Sequence, residues 1–327
     1  MEAKYAPIIV PTLNRHAHLK RCVESLSRCT LADCTELVIG LDFPPSEKYR
    51  DGYEKILEYL PKITGFKNVT VLRHEKNLGT IGNIQALLTY AKKDYDCFIC
   101  TEDDNEFAPN FLEYVNWGLT KYKDDISVFA ICGFKDIYTD DIKNNVYKLN
   151  TIFCAWGYGS WFDRFEKLYT YHDRQIFKQI VNNAGVSSVF SEDIVRLSSM
   201  VYQLARNTFY GDMIVSLLPE NEKWCIFPKK NEVRNWGWDG TGTHGGSLDT
   251  FKKYSTLPMD TDEHFVPVIV EDLYNPVVYE RFKKHYKTSK KTYIRAAIIF
   301  LCYKLTGYIP VSNKKSRWCK VKLLKVQ

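Results

Sequence analysis

The chain has 327 residues, 45% of them apolar, 14% aromatic and 26% charged, and no long stretch combines low hydrophobicity with high charge. That balance excludes a largely disordered or fibrous protein and leaves room for one large α/β domain with an appendage. The net charge of +6 hides an asymmetry: residues 281–327 hold 14 Lys and Arg and no Asp or Glu, while the remainder has 31 basic against 39 acidic residues, a net of −8. An acidic body argues against a nucleic-acid binder, and the basic tail points to an anionic surface.

The opening MEAKYAPIIVPTLNR enters a strand pattern at once, with no basic stretch, apolar core and cleavage site of a leader, so a reducing cytosol is the expected compartment. Short β-branched runs then alternate with amphipathic stretches over the first 135 residues, the pattern of βαβ units around a mostly parallel sheet. Strands are predicted at Pro7 to Leu13, Glu36 to Phe43, Val69 to Glu75, Cys97 to Thr101 and Val128 to Gly133. Leu19, Cys22, Val23 and Leu26 repeat at helical spacing after the first, and Ile81, Ile84, Leu87, Leu88 and Ala91 before the fourth. The ten cysteines are scattered. Cys97 and Cys100 form an isolated C-x-x-C inside an apolar run, without a second pair or nearby histidine, and read as small hydrophobes.

From about Tyr147 the pattern changes, with Ile152 to Trp161 dense in Trp, Gly and Tyr, helices predicted near 191–207 and 211–222, and a strand over Trp224 to Val233. The loop that follows, Arg234 to Gly246, contains five glycines and is too rich in them for regular structure. The tail carries an apolar stretch, Tyr293 to Ile309, flanked by Lys283–Lys291 and Lys314–Trp318; it is too short and too charged to span a bilayer and suits an interfacial helix on anionic lipid.

Each of the first four strands ends in a polar cluster, and open parallel sheets bind ligands just beyond the carboxyl ends of their strands. The fourth discharges into Glu102-Asp103-Asp104. Carboxylates this close raise one another's pKa, a cost that a divalent cation removes, and hard oxygen ligands beside substrate phosphates are how Mg²⁺ or Mn²⁺ is commonly held. Asp104 is the candidate metal ligand, with a helix N-cap at Asp104 or Asn105 as the plain alternative. Arg15 could reach diphosphate oxygens beside Thr12, or could be a surface arginine. Asp42 could accept from a base or ribose hydroxyl, or serve only a turn before Pro44-Pro45. Asn77 and Gly82 open the third helix where the backbone can approach a ligand; no G-x-G-x-x-G or phosphate-loop motif occurs. Asp212 enters an otherwise apolar helix start as candidate general base, with N-capping as the bland reading and Glu192-Asp193 as a rival. His244, in the glycine loop, could complete a metal shell.

On these residues the chain resembles the inverting glycosyltransferases of the GT-A fold, in particular family 2, and locally N-acetylglucosaminyltransferase I, over roughly residues 6–246. Glu102-Asp-Asp-Asn-Glu-Phe-Ala-Pro-Asn-Phe-Leu-Glu-Tyr114 looks like that family's EDD motif, Ile8-Ile-Val-Pro-Thr-Leu-Asn-Arg15 its first strand and phosphate-binding arginine, and Asn235-Trp-Gly-Trp-Asp-Gly-Thr-Gly-Thr-His244 an NxGxDGSGTH stretch of bacterial members. The resemblance implies a Rossmann-like, mostly parallel sheet flanked by helices, with Asp104 on Mn²⁺ or Mg²⁺, Glu102, Asp103 and Asp42 near the nucleoside, and Asp212 as base. It implies residues 1–250 as catalytic domain, 1–135 binding the nucleotide-sugar and 136–250 the acceptor, with 251–327 a basic extension. The expected reaction moves a sugar, UDP-linked in the first instance, to a glycan or lipid-linked glycan in bacterial surface polysaccharide synthesis, on the inner face of the cytoplasmic membrane. A nucleotidyltransferase making the sugar nucleotide, and a non-catalytic carbohydrate- or lipid-binding protein, are the competing readings.

Overall fold

The computed structural model describes residues 4–150, 152–165, 174–191, 193–206, 223–242, 246–285, 287–312 and 321–326. Its centre is an eight-stranded sheet. The strands in chain order are β1 (Ile8–Thr12), β2 (Glu36–Leu41), β3 (Asn68–Arg73), β4 (Cys97–Cys100), β6 (Val128–Cys132), β7 (Val146–Asn150), β8 (Tyr158–Trp161) and β9 (Trp224–Pro228). The order across the sheet is β3-β2-β1-β4-β8-β6-β9-β7, parallel except where β8 and β7 run against their neighbours. Fully buried Ile8, Ile9 and Val10 on β1 and Leu37, Val38 and Ile39 on β2 show why these runs are continuous rather than alternating: helices cover both faces. All five strands predicted in the first 135 residues form, each within two residues of its expected ends.

Helix α1 (His16–Leu26) buries Leu19, Cys22, Val23 and Leu26 on the predicted stripe. A helix at Arg50–Tyr59 (α2) has no counterpart in the prediction; its Tyr53 and Ile56 are fully buried. Helix α3 (Gly79–Ala91) docks on β2 through one small residue: a Cβ on Gly40 would lie 2.1 Å from Asn83 Oδ1, while Asn83 Nδ2 donates to the Gly40 carbonyl at 2.8 Å. Helix α4 (Phe111–Lys121) packs Phe111, Leu112, Val115 and Leu119 inward.

The predicted strand over Trp224 to Val233 is two strands. β9 stops at Pro228, and after a turn β10 (Val233–Asn235) leaves the main sheet to pair antiparallel with the three-residue β5 (Asn105–Phe107). This ribbon carries the chain back to the end of β4. Beside it sits buried Glu232, whose Oε2 has no hydrogen-bond partner among the described residues; burial pushes its carboxyl well above the ordinary 4.5, and burial likewise lowers Lys135 nearby to about 8. Because the folded state holds a proton on Glu232 that the unfolded state has lost, this group's contribution to stability falls as pH rises from 4.5 towards its elevated value. Glu232→Gln is expected to gain on the native chain in urea unfolding as pH rises above 4.5; a pH-independent difference would refute this.

The chain divides into two compact units, residues 1–165 with 219–279, and residues 166–218 with 280–327. The first unit therefore extends past the expected boundary at 250. Helix α7 (Leu248–Ser255) and an extended strap return along it: Glu113 accepts from the Phe265 backbone at 2.7 Å, Asn145 exchanges hydrogen bonds with Val266 and Val268, and Asn144 holds residues 270–272. The second unit contains α5 (Arg174–Asn183), α6 (Ile194–Arg206), α9 (Lys290–Thr306) and a hairpin of β11 (Tyr308–Ser312) and β12 (Val321–Lys325); α8 (Pro276–His285) runs from one unit into the other. Cys97 and Cys100 are free thiols.

Candidate active site

β1 has β2 on one side and β4 on the other, so the crevice between the carboxyl ends of β1 and β4 is the point where strand order reverses. Thr12 and Arg15 come from the β1 side, Asp103 and Asp104 from the β4 side. They form one network: Thr12 Oγ1 donates to Asp103 Oδ2 at 2.8 Å, and the Arg15 guanidinium bridges the pair, bonding Asp103 Oδ1 through Nη2 and Asp104 Oδ2 through Nη1 at 2.7 Å. Asp103 and Asp104 are 4% and 7% exposed. Burial pushes the Asp103 carboxyl up, against the lowering effect of Arg15, and the neighbouring Asp104 raises it further. Burial opposes the charge on Arg15, but the two carboxylates outweigh it and keep the guanidinium firmly protonated.

The ribbon completes the site. Asn235 Nδ2 donates to Asp104 Oδ1 at 2.8 Å and to Asn105 Oδ1 at 2.8 Å, and the Trp236 backbone N–H donates to the Asp104 carbonyl at 2.9 Å. Residues 236–242 then fold over the acid pair. Trp236 is clamped by its indole N–H to Glu106 at 2.9 Å and by Arg21, 4.1 Å above its ring. Asp239 lies 3.2 Å from His18 Nε2; burial raises its carboxyl, but hydrogen bonds from Thr241 and the positive His18 and Arg15 side hold it below the ordinary value. A Cβ on Gly237 would stand 2.0 Å from Asp104 Oδ2, so only glycine lets the backbone come this close. Beyond it Trp238 stacks on Tyr254, centroids 5.5 Å apart, and Trp156 meets both edge-on, giving a half-buried aromatic cluster one residue from the acid pair.

Asp42 and Asn77 form a second network at the end of β2. Asp42 accepts from the backbone of Phe43, Leu78 and Gly79 and from Asn77 Nδ2, at 2.8–3.0 Å, so it braces the start of α3. Gly82 lies in the first turns of α3 facing Leu78, and the Glu102 side chain is exposed at the crevice edge. Asp212 and His244 lie outside the described residues, as does Glu192; Asp193 pairs with Arg196. Asn235, Gly237 and Asp239, the N, G and D of the NxGxDGSGTH-like loop stretch, join the site though no role was expected of them, and His18 joins it without having been singled out. The signal was the alternation Val233-Arg234-Asn235 running directly into the glycine loop.

The donor set suits a divalent cation. Two buried carboxylates share a single guanidinium, and Asp103 is raised by burial and by Asp104, so the pair is short of positive charge. No group of three or more His, Cys, Asp or Glu is gathered for a metal among the described residues.

Residues 8–197 match the family model for glycosyl transferase family 2, and the chain belongs to that family; its doubly wound, mostly parallel sheet is the GT-A arrangement. Solved structures that are similar include the mannosyltransferase PcManGT from Pyrobaculum calidifontis in complex with GDP-Man and Mn²⁺ (17% identity, 50% of this chain and 47% of that one, TM-score 0.36). TarS of S. aureus is similar over 50% of this chain and 29% of its own (12% identity, TM-score 0.35), and its 1–349 fragment over 93% and 81% (10% identity, TM-score 0.44). The chain thus spans less than half the length of the first two. No curated protein sequence matches at a significant level.

Proposed function

We propose that the chain is a metal-dependent, inverting enzyme that moves a sugar from a UDP-sugar to a hydroxyl of a glycan or lipid-linked glycan, in bacterial surface polysaccharide synthesis. The observation that carries this reading is the buried Asp103–Asp104 pair at the reversal of strand order, charge-compensated only in part by Arg15. Asp104 would hold Mn²⁺ or Mg²⁺, with His244 completing the shell from the glycine loop; the ion, when bound, supplies neutralisation of the charge developing on the leaving diphosphate. Asp103 and Glu102 face the ribose side, and Asp42 and Asn77 fix the backbone at the start of α3 where the base would rest. Asp212 takes the proton from the acceptor hydroxyl as it attacks, a single displacement with inversion. The loop over residues 236–242 keeps water from the reacting centre. Trp156, Trp238 and Tyr254 offer aromatic faces to an acceptor sugar, and neither indole N–H of the two tryptophans is bonded to another described residue. Membership of the family favours this reading over the nucleotidyltransferase and the non-catalytic binder.

The test is release of sugar from a panel of nucleotide sugars with and without Mn²⁺, which requires no knowledge of the acceptor. Metal-dependent release from one donor is expected; no release and no metal-dependent nucleotide binding would remove the proposal.

The basic tail supports a second element of the reading, attachment to the cytoplasmic face of the membrane. Among the described residues no helix is long and apolar enough to cross a membrane. Helix α9 buries Ala296, Ile299, Phe300 and Tyr303, while Ile294, Ile298 and Leu305 are 59%, 55% and 76% exposed on its other side, beside Lys291 and Arg295. Each basic residue near an anionic surface contributes about 1 kcal/mol. Co-sedimentation with phosphatidylglycerol vesicles, absent with phosphatidylcholine and lost in Ile298→Glu/Leu305→Glu, is the expected result; equal binding to both lipids, or none, would refute it.

A further inference from the structure

Arg15 does more in this structure than stand ready for a phosphate. Its two terminal nitrogens take one oxygen from each of Asp103 and Asp104, while Thr12 and Asn235 take the other two. Every carboxylate oxygen of the pair therefore has one protein donor. A lone pair remains on each, but a divalent cation on Asp104 would meet the guanidinium charge. The oxygen that Arg15 Nη1 holds at 2.7 Å is the one that charge repulsion requires Arg15 to give up, because Asn235 is neutral and buried while Arg15 keeps 20% of its side chain exposed. The glycine backbone also lies close against the guanidinium: Cβ atoms built on Gly237 and Gly242 would each stand 3.4 Å from Nη1. Arg15 also stands at the N-cap of α1, where the helix end favours an incoming anion.

We propose that Arg15 is an exchangeable counter-cation: in the absence of donor it occupies the charge position of the metal on Asp104, and the donor diphosphate draws it away, so that metal and diphosphate bind cooperatively and metal alone binds poorly. This rests on the metal-dependent reading above. Without diphosphate the acid pair keeps its guanidinium and remains partly compensated. With diphosphate, Arg15 exchanges two carboxylate oxygens for phosphate oxygens, and the pair is left with the negative charge that a divalent ion satisfies. By linkage, the factor by which diphosphate raises metal affinity equals the factor by which metal raises diphosphate affinity.

The experiment is calorimetric titration of Mn²⁺ alone into the native chain, Arg15→Gln and Arg15→Gln/Asp104→Asn, with thermal melting to verify folding, and Arg15→Lys as a second variant that keeps the charge but cannot fork across two carboxylates. Arg15→Gln is expected to bind Mn²⁺ about tenfold tighter than the native chain, within the range such couplings take. Arg15→Lys should fall between them, and the double variant should lose the gain. A purely structural role for Arg15 would lower metal affinity, not raise it. Folded variants at Arg15 that bind Mn²⁺ no tighter than the native chain overturn the exchange. The Mn²⁺–UDP complex, titrated separately, distinguishes the two levels: if it binds the native chain in an Asp104-dependent way while the Arg15 variants gain nothing, the exchange alone falls; if it binds no variant and not the native chain, the metal-dependent reading falls with it.

Discussion

Asp104→Asn is expected to reduce metal-dependent sugar release by on the order of 10³-fold, the scale on which preorganised charge stabilisation at a leaving group operates. The substitution keeps the volume and one oxygen. Asn235 can still donate to that oxygen and Trp236 to the unaltered main-chain carbonyl, so the ribbon and the fold should remain in place. What goes is the charge. Arg15 would then face Asp103 alone, and that carboxylate, relieved of its neighbour, should ionise more readily. Loss of turnover and of the Mn²⁺-dependent part of nucleotide binding, with an unchanged melting temperature, would assign the effect to the metal. Sugar release at the native rate would exclude Asp104 from the chemistry and leave the buried acid pair a structural ion-pair network.

Gly237→Ala is expected to lower turnover by about 10²-fold, the cost of displacing a catalytic arrangement by about an ångström. The added methyl would fall 2.0 Å from Asp104 Oδ2, so either the loop lifts or the carboxylate turns away from Arg15 and Asn235. Gly237 does not need the left-handed backbone region that Gly240 occupies at φ +90°, so the new residue brings no backbone strain of its own. Activity should therefore fall far more than stability. The pair of measurements is sugar release and thermal unfolding; native turnover in a folded Gly237→Ala chain would mean that the loop does not close against Asp104 during reaction.

The first half of the fold was legible because buried parallel strands announce themselves as unbroken apolar runs, and β1, β2, β4 and β6 have nothing else to be. Their polar ends followed from the same logic, and Thr12, Arg15, Asp103 and Asp104 do meet. β5 was hidden because Asn105-Glu106-Phe107 has no strand pattern; it exists only because Val233-Arg234-Asn235 arrives to pair with it. Helix α2, with mixed residues around Tyr53 and Ile56, lacks a long stripe. Pro228 and the two lysines after it were the sign that the stretch from Trp224 to Val233 would break. The strap over residues 257–275 could not be foreseen, since its place depends on single side chains, Glu113, Asn144 and Asn145, with no periodicity to advertise them. Asp42 was recognisable as a strand-end carboxylate, yet its oxygens are taken up in bracing α3, which only the hydrogen bonds reveal.

Asp104 is fastened from the far side of the molecule's sequence: its carboxylate by Asn235 and its carbonyl by Trp236, more than 130 positions later. The stretch that carries the family signature ends at residue 197, before either of them. A polypeptide released at that point would contain the whole stretch matched to the family and seven of the eight central strands, all but β9, but it would lack the β10 strand and the loop that fold over the acid pair. Family match and completion of the crevice are thus written in different parts of the chain, and during synthesis the acid pair acquires its roof only when β10 has emerged.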